Sequence, residues 1–530
     1  MTAVAGLGRY LRFIARRERV VSAVWAAALA IGALAFASAY PGLFPTQADL
    51  QAMVAVVDTP AMIALMGPVY GLEALTPAMV MAQECLIWFL LAIAAMNIFF
   101  VNRHTRDDEE LGRLEMLRSL PVGRLTDSAA TLAGAFALNL AISVLVALGL
   151  VAVDIAGTSA AGAFAYGLAI GAVGFLFAAL TLMAAQLFST TRGVIGWSFA
   201  CLGLFYILRA AGDISNAAAS HISPVGLALR VHAFHGNQFW PLAAIAAEAV
   251  LIAAAALAVC ARRDLGQGVI PDRAGRRHAA RGLLSPLGLA WRLTRRTVLA
   301  WTLAALATGA TYGAVVPELD RFATGNSVVN DMLEASGGGS MISNFTVLVC
   351  AVMAMLGMIP AILAITRLRT EEKLGRLDQI YSKAVSRNRI LTAFGLISVL
   401  QGAAFTVISG LGLYAGAASS GKIGVWEAVS GTLIYLPAIW SVTGLTVLLV
   451  GFCPKFTGLA WVLFTYSLLV VYFGRIISLP GWAAKLSPFS HIPQLPVQEF
   501  TPAPLIALTV IALTAAGGGA WAYRRRDVAA

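Results

Sequence analysis

Charge is what this sequence has least of. Only 12% of its 530 residues are Asp, Glu, Lys or Arg, about half the share that a soluble domain carries. So few polar side chains cannot coat a water-soluble core, which excludes a soluble enzyme or binding module. Cysteine is sparse too. Cys85, Cys201, Cys260, Cys350 and Cys453 stand singly in or beside apolar stretches, with no CxxC and no loop pair, so neither a disulfide frame nor a metal site is expected. A complete phosphate-binding loop is also lacking. Gly416 to Lys422 spells one up to its last position, where Ile423 replaces the required Ser or Thr and no strand precedes it. Energy for any transport must then come from a partner or a gradient.

What the chain has in abundance is apolar length. Hydrophobic residues make up 59% of it, and about 20 consecutive apolar residues cross a bilayer as a helix. Spans are expected near 20–40, 76–101, 128–153, 160–189, 193–211 and 240–261, then near 297–316, 342–366, 390–416, 428–452, 456–474 and 502–523. With the N-terminus inside, all but Arg209, Arg230, Arg321, Lys422, Arg475 and Lys485 of the 37 Lys and Arg residues fall in cytoplasmic segments. The positive-inside rule then puts both termini in the cytoplasm, and the formal charge of +11 is a topology signal rather than a sign of nucleic-acid binding. Arg16 and Arg17 precede an apolar run ending at Ala37-Ser38-Ala39. That run is long enough to span, so it reads as a retained helix rather than a signal peptide.

The sequence repeats itself. Asp108, Glu109, Leu111, Gly112, Arg113, Leu114, Glu115, Leu117, Ser119, Val122 and Arg124 follow the second span; Glu371, Glu372, Leu374, Gly375, Arg376, Leu377, Asp378, Ile380, Ser382, Val385 and Arg387 follow the eighth, each 263 positions later. The same offset, within one residue, relates Ser223-Pro224 to Ser487-Pro488 and Arg263-Asp264 to Arg526-Asp527. Internal symmetry of this kind is common in transporters. The expected fold is an all-α integral membrane protein of 12 transmembrane helices, arranged as two similar six-helix halves. Residues 1–265 form the first half, 266–290 an Arg-rich cytoplasmic linker and 291–530 the second half.

The repeated segment begins with acids, spaces Leu111, Leu114 and Leu117 helically, and carries Arg113, Arg118 and Arg124 later, with Pro121 where a helix would stop. It reads as a short amphipathic helix across the cytoplasmic ends of the spans. A plain topology anchor needs positive charge but no reused acid-Leu-Gly-Arg-Leu-acid pattern. Two equivalent cytoplasmic partners explain the reuse better.

Three separated stretches carry a family resemblance: the linker RRDLGQGVIPDRAGRRHAARGLLSPLGLAWRLTRRTVLAW, the segment ISPVGLALRVHAFHGNQFWPL and the run EELGRLEMLRSLPVGR. Together they resemble actinobacterial ABC permeases of the polyketide-antibiotic (tetronasin-type) and multidrug exporter family. The resemblance implies a type-two ABC exporter-like transmembrane domain, both halves in one polypeptide, in a bacterial plasma membrane. It implies two copies of a separate nucleotide-binding ATPase subunit, which would hold ATP and Mg. This chain would then bind no cofactor and be no enzyme by itself.

On the same resemblance, Glu109, Leu111, Gly112, Arg113, Leu114, Glu115, Leu117 and Arg118, with Glu372, Leu374, Gly375, Arg376, Leu377, Asp378 and Ile380, would couple to the ATPases. The stretches Arg9 to Arg19 and Trp291 to Arg296 would be interfacial elbow helices, and 212–239 and 479–501 outer re-entrant elements. The apolar cavity expected between spans two, five, eight and eleven suits amphipathic drugs, antibiotics or lipids. The second segment departs from the first at Lys373, in place of Glu110, and at Ala384, in place of Pro121, so the two halves need not engage their partners equally.

Ionisable residues inside a membrane are costly and face an interior or a cavity. Glu84, with Asn97 and Gln186 as weaker cases, reads either as lining the substrate path or as a structural hydrogen bond; Glu248 reads as structural. Other classes find less support. Gly268 to Arg277 fits the GxxxDRxGRR signature of proton-driven major-facilitator transporters, but it lies in the central linker rather than after span two. Asp49, Asp58 and Glu73 are too dispersed for a membrane transferase. His221, His232 and His235 suggest a metal site that no acid or Cys completes.

Overall fold

The computed structural model describes residues 3–58, 60–215, 219–271, 277–317, 341–473, 481–495, 498 and 500–527. They fold as two units, Met1–Gly275 and Arg276–Ala530, and each is described by itself. Asp272, Arg273, Gly275 and Arg276 of the linker signature, and Arg321 and Arg475, lie outside the described residues.

The first unit contains α1 (Leu7–Leu43), α2 (Pro77–His104), α3 (Thr126–Val153), α4 (Ala160–Leu187), α5 (Thr191–Ser215) and α6 (Trp240–Arg262). Local chemistry sets several starts. Thr76 and Ser159 accept hydrogen bonds from the amides of Met79 and Gly162, and Pro77 occupies the first turn of α2, where its missing N–H costs nothing. Helix α4 sits centrally, packed against α2, α3, α5 and α6. Its interior face is built of small residues, so neighbours come close: a Cβ at Gly167 would lie 2.4 Å from the Ser143 carbonyl oxygen. Close approach through small residues is how apolar helices associate without a hydrophobic driving force.

The second unit contains α7 (Pro286–Gly313), α8 (Met341–Lys373), α9 (Arg387–Ala417), α10 (Leu436–Phe452), α11 (Leu459–Phe473) and α12 (Pro502–Arg525). The pairings match those of the first unit: α7 with α9 as α1 with α3, α12 with α10 as α6 with α4, and α8 with α10 as α2 with α4. Gly309 and Gly313 of α7 meet Gly412 and Gly416 of α9, and a Cβ at Gly313 would stand 2.2 Å from the Leu413 carbonyl oxygen. Small residues four apart on both helices make this the tightest kind of crossing.

Among the described residues there are no strands, and eleven helical stretches are long and apolar enough to cross a membrane. They fall on eleven of the twelve expected spans. The remaining one, expected at 297–316, lies on α7, a helix of 28 residues. It is less apolar than the others because Arg292, Arg295 and Arg296 occupy its first half and Trp301, Thr302, Thr308, Gly309, Thr311, Tyr312 and Gly313 dilute the second. Two details differ from expectation. The basic stretches Arg9 to Arg19 and Trp291 to Arg296 are the opening turns of α1 and α7, not separate helices; α1, with 37 residues, runs about 55 Å, well beyond a ~30 Å hydrocarbon layer. The span expected at 428–452 comprises Val425–Leu433 and then α10, separated at Ile434 and Tyr435, because Pro437 in the first turn of α10 cannot supply an amide to continue the ladder.

The α5–α6 connection of the first unit enters the helical core. Pro224–Leu229 is buried along its whole length and packs against α2, α4, α5 and α6. Arg209, fully buried near the end of α5, donates to the carbonyls of Ile63 and Leu65 and lies over the Tyr206 ring. It ties the α1–α2 connection to α5.

Candidate functional site

The two repeated segments share their turn. In the first unit Arg106–Glu110 ends at Leu111, Gly112 adopts φ 70°, and Arg113–Arg118 follows. In the second, α8 runs through its acids to Lys373, Gly375 adopts φ 66°, and Asp378–Tyr381 follows. Only glycine takes that left-handed conformation without strain, which is why Gly112 and Gly375 recur.

The turn sorts the leucines. Leu111 and Leu374 are 48% and 47% exposed, whereas Leu114 and Leu377 are 2% and 1% exposed. Leu377 packs with Leu368, Phe394 and Tyr523. Leu117 and Ile380 are partly covered by their own units. Leu114 and Leu377, expected to face a partner, therefore anchor the segments inward, because an apolar side chain next to a helix bundle is covered by whichever surface is already there.

The acids do the same. Glu109 is buried and accepts two hydrogen bonds from Arg263, at 3.0 and 2.9 Å. It also pairs with Arg106 at 3.2 Å and accepts from the Gly266 amide at 2.6 Å. In the second unit Glu372 pairs with Arg526, whose guanidinium lies over Tyr523. Arg124 donates to the Arg263 carbonyl and Arg387 to the Arg526 carbonyl, both at 2.7 Å. Arg113 meets Asp108 at 3.1 Å, and Arg376 meets Glu371 at 3.4 Å. The same bonds thus recur between the same repeat positions, and in each unit they clamp the segment to the end of the sixth helix. Glu109 and Glu372 hold the segment in place rather than presenting a charge outward. Arg118 turns back to Asp127 at 3.2 Å, while Arg113, Glu115, Gly375, Arg376 and Asp378 are exposed.

The halves depart from each other here: Glu110 accepts from the amide of Thr191, the first residue of α5, at 2.9 Å, whereas Lys373 at the corresponding position of the second segment is exposed.

Glu84 and Asn97 lie apart from these segments and from each other. Glu84, on the second turn of α2, accepts a hydrogen bond from the Tyr40 hydroxyl of α1, and its Oε1 has no partner among the described residues. Asn97 is fully buried and exchanges two amide hydrogen bonds with Asn139 of α3, at 3.0 and 2.8 Å. Gly174 of α4 lies against this pair, leaving it room. Tyr40, Asn139, Arg263 and Arg526 were not singled out as partners from the sequence. For the two arginines the signal was present: acid and base both recur at one offset.

His232 and His235 lie against Tyr70, the former stacked at 4.3 Å between ring centroids, and His235 faces Glu73 at 3.7 Å. Burial, with His235 and Arg230 nearby, lowers the pKa of His232 below its ordinary value. Asp49 serves as a helix cap with Thr46.

Apolar helices of membrane-crossing length, with a clamped polar segment in each unit, define a multi-pass helical membrane protein. The comparisons give the family. The model for the C-terminal domain of Multidrug efflux system permease Rv1217c matches residues 283–524. Over 527 residues the chain is 34% identical to the Multidrug efflux system permease protein Rv1217c of Mycobacterium tuberculosis (strain ATCC 25618 / H37Rv), covering 98% of this chain and 94% of that protein. The chain belongs to this family of membrane permeases.

Proposed function

We propose that the chain is the membrane-spanning permease of an ATP-binding-cassette exporter. It moves amphipathic small molecules out of a bacterial cell, with both termini and both repeated segments in the cytoplasm. Two copies of a separate ATPase subunit, carrying ATP and Mg, dock on the two segments. The relative's name supports efflux of drug-like molecules. The observation that carries the docking is the duplicated geometry: Leu111 and Leu374 stand equally exposed beside left-handed glycines, each on a segment clamped to its own sixth helix.

In this reading a partner covers the two exposed leucines, and each clamp passes its movement on to α6 or α12. Transport is then a shift between two arrangements of the helices, driven by contacts that differ between them. Glu84 and Asn97 act inside the first unit, where a polar group contributes to the substrate path or supports the helices beside it.

The test is co-purification of the tagged chain from its native membrane, with ATPase activity assayed. A stoichiometric subunit with a phosphate-binding loop is expected, together with its loss in the double variant Leu111→Asp, Leu374→Asp. Both side chains are half-exposed, so insertion and folding of that variant stay intact. Normal ATPase recovery and full efflux in the double variant would end the docking proposal. Efflux by the chain alone, abolished by a proton uncoupler, would end the ATP-driven one.

A further inference from the structure

The first unit has a cavity of about 340 Å³ at the end that carries its repeated segment, between α1, α2, α3 and the start of α5. One face of α2 supplies Met96, Phe99, Phe100, Arg103 and then Asp107 just beyond it, and one face of α1 supplies Glu18 and Trp25. The cavity lies on a different face of α2 from the buried Asn97–Asn139 pair.

Its chemistry favours one sign of charge. Glu18 and Asp107 are the carboxylates of the lining and Arg103 its single guanidinium. Arg103 is already committed to Glu18, at 3.0 and 3.2 Å. Asp107 has no ion pair among the described residues, since the neighbouring Arg17 and Arg113 are both bound to Asp108. Asn102 also lines the cavity; it is 5% exposed, and its Oδ1 accepts no hydrogen bond among the described residues. A buried acceptor without a donor is costly unless something fills the role. Trp25, Phe99 and Phe100 add aromatic faces, which attract a cation through the ring quadrupole. The size falls in the range of small-molecule sites.

We propose that this cavity binds the cationic head of an amphiphile, with its apolar part among Trp25, Met96 and Phe99, and so receives cationic members of the substrate class before transport. This rests on the exporter reading above. The same chemistry fits a lipophilic organic cation and the ammonium of an aminophospholipid. A free anion is disfavoured, because the lining carries one net negative charge and an orphan acceptor.

Tetraphenylphosphonium and tetraphenylborate are nearly isosteric and opposite in charge, which separates electrostatic recognition from apolar fit. Their binding to the purified full-length chain in phosphatidylcholine nanodiscs, referenced to empty discs, is expected to favour the phosphonium by about tenfold, the change one partly desolvated charge contact supports. Asp107→Asn should bring that ratio close to one. Asn102→Leu removes a carbonyl dipole whose negative end faces the cation, with no hydrogen bond to the phosphonium involved, and should weaken the phosphonium several-fold without weakening the borate. Replacing part of the lipid by phosphatidylethanolamine distinguishes the sources: competition with the phosphonium identifies the headgroup as an occupant, and its absence identifies a drug-like cation. Equal affinity for the two isosteres, or a preference untouched by both substitutions, would overturn the site. No ATPase is present in this assay, so failure of the docking reading would leave it unaffected.

Discussion

Removing both sides of a buried clamp should cost less than the two single removals added together. Glu109 and Arg263 have side chains only 5% and 9% exposed. Glu109→Ala leaves the guanidiniums of Arg263 and Arg106 and the Gly266 amide without their shared acceptor. An uncompensated buried charge costs about 3–5 kcal/mol, so that range is expected for Glu109→Ala. Arg263→Ala leaves Glu109 with Arg106 and should cost less. In the double variant the second loss is partly prepaid, and a coupling of about 2 kcal/mol, within the usual range for residues in one network, is expected between the two positions.

The Glu372–Arg526 pair is built at the same positions, but Arg526 is 14% exposed and no third charge joins the pair among the described residues, so its coupling should be about 1 kcal/mol. Equilibrium unfolding of the four variants of each cycle in mixed micelles measures both values. Single-variant costs that add to the double-variant cost within about 0.5 kcal/mol, in both units, would refute the clamp as an energetic link.

Other outcomes follow from the same structure. Leu114→Asp or Leu377→Asp places a carboxylate in a site 2% or 1% exposed; it should lower the yield of folded protein sharply, unlike Leu111→Asp, as size-exclusion profiles will show. Gly313→Leu sets a side chain where a Cβ alone would stand 2.2 Å from the Leu413 carbonyl oxygen, so protease resistance of the second unit should be lost, whereas Gly395→Leu, with open space at that position, should retain it. His232 has a folded-state pKa below its ordinary value, so the unfolded chain binds more protons below about pH 6.5 and stability should fall as pH drops from 7 to 5. His235, Arg230, Tyr70 and Glu73 are the titratable or charged groups around it. His232→Asn, which tolerates the φ of 47° found there, should flatten that slope in a thermal-shift series.

The class, an all-helical membrane protein, was legible in the residues, as was the repeat of one polar segment at a fixed offset. Apolar length follows from composition alone, since a stretch that water rejects has few places to go, and an offset of 263 between Glu109 and Glu372 and between Arg263 and Arg526 is visible without coordinates. A helical spacing of leucines, however, says only that they share a face, not what that face meets. Leu111 and Leu114 look alike in sequence; the left-handed turn at Gly112 turns one outward and the other in. Likewise the sequence puts Glu109, Glu84 and Asn97 among the polar residues of interest, but only tertiary structure supplies Arg263, Tyr40 and Asn139 as their partners. Burial and pairing are properties of neighbours 42 to 154 positions away, and local pattern carries no information about contacts at that distance.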